Sequence, residues 1–221
     1  GILSAMTRLR FKPYIDEAPT WPDRGRVILA QYDAESVVVY EALSRAAARS
    51  VVQGGRLDAL VEDFDRMHWF GTSFTWFMRR TGWATERGQR AVLALWLRRD
   101  RFDEILREAV PTHFTEGAFA SREAWQEALD SSDVRAQWAP DFPPHGPKLN
   151  RKALEIGLRG EMLRGYVTGW VLAVEDITSF VRQQAQFVEM PELLFVPAQD
   201  IYPVRDEQVA ARLNLTKRVP D

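Results

Sequence analysis

Apolar and polar positions follow two periods along this chain. Residues 27–31 and 36–40 are short apolar or β-branched runs separated by Asp33, Ala34 and Glu35, which predicts strand, turn, strand. Residues 43–53 are Ala-rich and run into Gly54 and Gly55, so a helix is expected to end on residues that accept the left-handed C-cap conformation. Leu57, Leu60, Val61 and Phe64 fall on one face of a second predicted helix over 57–66. The unbroken apolar run 91–97 predicts a central strand buried on both faces. Phe102, Ile105, Leu106 and Ala109 then recur at helical spacing up to Pro111, and Ser121 is placed to cap a helix over 122–129.

Pro140, Pro143, Pro144, Gly146 and Pro147 predict an irregular loop of the length that often carries function. Beyond it, 154–158, 170–174 and 193–196 read as strands and 177–187 as a helix. Short strands interspersed unevenly with helices argue for a single compact α+β domain rather than a doubly wound sheet. Pro13, Pro19 and Pro22 make residues 1–24 an expected extended arm, of which 1–5, before Met6, read as a cloning remnant. The domain is then expected over 25–205, with a tail over 206–221.

Composition narrows the chemistry. Hydrophobic residues make up 46% of the 221 positions, with eight Trp and twelve Phe, enough for a packed core. No apolar run approaches the roughly 20 residues that a bilayer helix needs, and no signal peptide opens the chain, which predicts a soluble, cytoplasmic protein. The absence of Cys excludes disulfides, thiolate nucleophiles and Cys-ligated zinc. His68, His113 and His145, the only histidines, match no metal-binding spacing, so no metal is expected. Net charge is −2, which makes no global case for nucleic acid, yet 25 of the 29 basic residues are Arg, the better fork for phosphate. Phosphate-loop, dinucleotide-fingerprint, nucleophile-elbow and kinase motifs are absent.

The aromatics concentrate in one block. Residues 68–83 hold three of the eight Trp, with a predicted helix over 73–80, Ser73 or Thr72 as its N-cap and Gly82 as its stop. Together with the segments Gln31-Tyr32-Asp33, Val39-Tyr40-Glu41-Ala42, Gln137-Trp138-Ala139-Pro140 and Glu155-Ile156-Gly157-Leu158-Arg159-Gly160, this block resembles the family catalogued as domain of unknown function 4291. The resemblance runs from about residue 26 to 202. Glu41 and Glu155 stand where that family usually has Gln, and Ala139 where it usually has Asp; an ionised Glu cannot replace an amide donor.

Tyr40-Glu41-Ala42, a helix, and then Gly54-Gly55-Arg56-Leu57 are more remotely similar to the opening of ADP-ribosyltransferase folds. That similarity implies a central split mixed sheet flanked by helices, with NAD as substrate lying across the split. Tyr40, Glu41, Trp69, Ser73, Trp76, Arg79, Trp83 and Arg159 would then contact NAD. Glu155 would stabilise the oxocarbenium-like ribose, with Glu175 in reserve, and His68 would be a general base. The acceptor would be a macromolecule, a Thr or Ser hydroxyl of a protein being the preferred class.

Plainer readings stand beside these: Trp76, Phe77 and Trp83 as core, Ser73 as a cap, His68 as a structural histidine. Arg79 and Arg80 are adjacent and cannot both face one site. Two alternatives remain at this stage: a non-catalytic module binding nucleotide, nucleic acid or protein through the Trp and Arg cluster, and an interaction protein with an aromatic hot spot.

Overall fold

An eight-stranded mixed sheet organises residues 9–217, which the computed structural model describes; the remnant read at 1–5 lies outside them. Along the chain come β1 (Phe11–Pro13), α1 (Tyr14–Glu17), β2 (Arg24–Arg26), β3 (Leu29–Ala30), β4 (Ser36–Leu43) and α2 (Arg45–Gly54). Next are β5 (His68–Gly71), α3 (Phe74–Thr81), β6 (Ala91–Arg98), α4 (Arg99–Glu108), β7 (Val110–Pro111) and α5 (Arg122–Ser131). β8 (Val134–Pro140), β9 (Asn150–Leu158), α6 (Gly160–Gly165), β10 (Val171–Asp176) and α7 (Thr178–Ala185) follow, then β11 (Phe195–Pro197), β12 (Asp200–Ile201) and α8 (Glu207–Arg212). The large sheet has the order β10-β6-β4-β5-β9-β8-β7, with β2 on β9. β2 with β9 and β7 with β8 are parallel and the other pairs antiparallel, so the architecture is α+β with a mixed sheet.

Strand alternation divides the core between the two faces. Val37 and Val39 of β4, Leu93, Leu95 and Leu97 of β6, and Leu154, Ile156 and Leu158 of β9 point to the first face, where α2, α4 and α8 pack. Val38, Tyr40, Val92, Ala94, Trp96 and Ala153 point to the second, covered by α3, α7 and the N-terminal segment. β6 lies between β10 and β4 with residues 91–97 all buried, as its unbroken apolar run predicts. α5 starts on the cap that the sequence predicts, Ser121 Oγ accepting from Ala124 N at 3.0 Å, and α2 starts on Ser44, whose Oγ accepts from Ala47 N at 3.2 Å.

The structure differs from expectation in three places. The helix expected over 57–66 is only a 3₁₀ turn, Leu57–Leu60, because Asp63 closes a turn by accepting from Asp65 N, and the chain must come back extended to enter β5. The expected arm is instead sewn into the fold: β1 pairs with β11, and buried Trp21 donates its indole N–H to Gln199 O at 3.0 Å. Likewise the expected tail forms α8, burying Val209 and Leu213, while Thr216 N donates to Arg26 O. Among the described residues, no helix is long and apolar enough to cross a membrane.

Candidate functional site

β4 and β5 are joined by a single register pair, Tyr40 with Gly71, whereas β4 and β6 share eight. The sheet therefore consists of a β10-β6-β4 half and a β5-β9-β8-β7 half that diverge on either side of one bridge. Polar side chains collect at this joint on both faces.

On the first face, Glu41 of β4 receives two donors. The Tyr166 hydroxyl donates to Oε2 at 2.5 Å, and His68 Nε2 of β5 bonds Oε1. Tyr166 opens a π-helical turn, Tyr166–Trp170, that follows α6, and its ring stacks on Phe70 at 5.5 Å with 5° between planes. Gly165 makes that turn possible: a Cβ there would sit 2.4 Å from the Trp170 ring. Burial alone would pull the His68 pKa down, but the charge and hydrogen bond of Glu41 outweigh it and hold the imidazole above its ordinary value. Burial, and then Glu41, push the Tyr166 hydroxyl well up.

On the second face, two glycines admit two tryptophans. A Cβ on Gly71 would lie 2.9 Å from the Trp76 ring, and one on Gly157 would lie 3.0 Å from Trp69. Glu155 pairs in register with Gly71 on one side and Gln137 on the other. Its carboxylate meets Arg80 Nη1 at 3.2 Å, and the Arg80 guanidinium stands 5.4 Å from the Trp76 ring centroid. The Glu155 side chain is only 7% exposed, and Arg80's 45%. Burial pushes the Glu155 carboxyl up, and Arg80 offsets this only in part. A desolvated carboxylate flanked by an aromatic wall and a guanidinium is the arrangement most able to stabilise transient positive charge or accept a proton.

The residues singled out from sequence do not form one crevice. Glu155, Trp69 and Trp76 come together on the second face, whereas Glu41 and His68 meet on the first. His68 is three positions along β5 from the Gly71 opposite Glu155, about 10 Å, and on the other face, so the two do not act on one substrate atom. Glu175 shares a row with Ala94 and Tyr40 but lies four strands from Glu155, about 19 Å, and is no substitute for it. Tyr40 is fully buried against Phe74 and Phe77, and Trp76 and Trp83 are core side chains, 5% and 7% exposed.

Ser73 and Arg79 hold a loop. Ser73 stands at the N-cap position of α3 without capping it; its hydroxyl donates to Asp141, which also pairs with Arg151 Nε at 3.0 Å. Arg79 donates to Pro143 O and Gly146 O and covers the Phe142 ring, pinning loop 141–149 to α3. Arg159 donates to Asp130 O at 2.6 Å beyond the end of β9, a strut remote from the joint. Tyr166, Asp141 and Arg151 escaped the sequence reading, since no local period or spacing marks side chains that meet only across the fold. Among the described residues, no three His, Asp or Glu side chains gather so as to hold a metal ion.

A family model described as domain of unknown function (DUF4291) matches residues 27–202. No curated protein matches the chain.

Proposed function

Because the chain belongs to the DUF4291 family, which carries no assigned activity, its chemistry has to come from its own residues, and we propose that it transfers ADP-ribose from NAD to a macromolecular hydroxyl. The observation that supports this most is Glu155: a desolvated carboxylate with a raised pKa at the joint of a split sheet, beside half-buried Trp69 and Gln137. In this reading the nicotinamide lies on Trp69 and the carboxylate faces the ribose. The C1′–N bond breaks, and its electron pair neutralises the pyridinium as nicotinamide leaves. Glu155 stabilises the resulting oxocarbenium, an acceptor oxygen bonds to C1′, and the hydroxyl proton passes to Glu155, whose raised pKa suits that role. Gln137 orients a ribose hydroxyl. Glu41 and His68 shape the joint from the opposite face as positioning residues.

The test is incubation with labelled NAD, with and without cell lysate, following nicotinamide release and label on macromolecules. Wild type is expected to transfer label, and Glu155→Gln, close in shape to the wild-type side chain, to lose about 100-fold or more. Unchanged turnover in Glu155→Gln would remove the carboxylate from the chemistry, and no turnover or NAD-dependent thermal shift in wild type would remove the reading. Trp76 and Trp83, being core, offer no stacking face, which weakens the alternative of a module that binds through the Trp and Arg cluster.

A further inference from the structure

Positive charge gathers without counter-charge at the end of the sheet where β4 finishes and β6 begins. Leu43 pairs with Ala91, so Arg45, in the first turn of α2, and Arg90, just before β6, emerge at the same edge. Arg87 comes from the preceding turn and Arg182 from α7. These four line two adjoining open cavities of about 520 and 430 Å³, which share Arg45 and Arg90 as their common wall. Among the described residues, none of the four has a carboxylate within 4.0 Å, although Arg56, Arg80, Arg98, Arg101 and Arg151 all do.

Two further features add to the imbalance. Arg45 stands at the positive end of the α2 dipole, and the first turn of α2 has no acidic residue to offset it. The wall of the smaller cavity includes Trp83, whose side chain is buried and whose indole N–H has no hydrogen-bond acceptor in the protein. Buried donors are normally paired.

We propose that this arginine groove binds a ligand carrying adjacent phosphates, either the diphosphate of a dinucleotide or consecutive phosphodiesters of a nucleic-acid strand. Guanidinium forks match phosphate oxygens two at a time, and a wall of two Arg between two cavities presents such forks to neighbouring phosphoryl groups. The groove is separate from Glu155, and its binding does not depend on the transferase reading.

The experiment titrates the whole chain with pyrophosphate, with NAD and with a fluorescent single strand of about 12 nucleotides, at about 50 and 200 mM salt. At least one probe is expected to bind, and the Arg45→Ala/Arg90→Ala variant to bind it at least about tenfold more weakly. Arg24→Ala, on the far half of the sheet, is expected to match wild type. If all four Arg engage a strand, affinity should fall about 50-fold between the two salt concentrations. Preference for the strand identifies nucleic acid as the source, and preference for NAD with displacement by pyrophosphate identifies the dinucleotide. The proposal is overturned if no probe binds, if the double variant binds as wild type does, or if Arg24→Ala loses as much. The substituted side chains are exposed and unpaired, so melting temperature should not move, and Arg45→Lys/Arg90→Lys, which keeps charge without the fork, should fall between wild type and the Ala variant.

Discussion

Glu155 and His68 carry pKa values displaced upward, with opposite meanings. For His68 the displacement reflects a partner gained on folding, so its contribution is complete below the unfolded pKa of about 6.5 and fades as pH rises through the higher folded value. The melting temperature lost in His68→Gln should therefore be larger at about pH 5.5 than at about pH 9. For Glu155 the folded carboxyl holds its proton more tightly than the unfolded one, so its ionisation weakens the fold as pH climbs from about 4.5 toward the raised value. Glu155→Gln should raise the melting temperature near neutrality, and the gain should shrink toward about pH 4. If Glu155→Gln also loses turnover, a gain in stability together with that loss would mark a site selected for activity. Trp76→Ala, by contrast, removes a core side chain and should cost about 3–5 kcal/mol in chemical denaturation. The sequence pointed to Glu41 and His68 as individuals; the second donor to Glu41, Tyr166, lies 125 residues away and reaches it only through a π-helical turn that no apolar period encodes.

Elements with a strong local signal were legible. β6 followed from its apolar run, α3 from its closing glycine, which adopts φ 58°, and α5 from Ser121. β5 was not, because four residues inside an aromatic block carry no clear alternation, and its identity as a strand depends on β9. The Ser73 hydroxyl, expected to cap α3, donates instead to the Asp141 carboxylate, which the buried Arg151 guanidinium holds in place. That pair sets an element-scale prediction: Asp141→Ala leaves Arg151 charged and buried without its counter-charge, and should cost about 3–5 kcal/mol by denaturant titration. Gly71→Ala should cost about 1–3 kcal/mol, since the added methyl would press on the Trp76 ring.

At the scale of the molecule, composition and strand pattern anticipated an α+β fold, but local pattern could not show where the ends go. Prolines stop a segment from being helical without saying whether it packs. Here β1 pairs with β11, Trp21 reaches Gln199, and α8 closes the first face together with the following Leu213, whose carbonyl accepts from Trp138 Nε1 at 2.9 Å. Removing residues 206–217 should therefore uncover apolar surface, lower the melting temperature and increase binding of a hydrophobic dye.

The one-pair joint between β4 and β5 also bears on how the protein opens. Backbone hydrogen bonds that tie β4 to β6 are cross-braced along the full strand, whereas those across the joint have almost no neighbours to share an opening event. Exchange of amide hydrogens with deuterated solvent should then resolve two cooperative units, β10-β6-β4 and β5-β9-β8, with separate opening free energies. The seam between them is where the chain can breathe without unfolding.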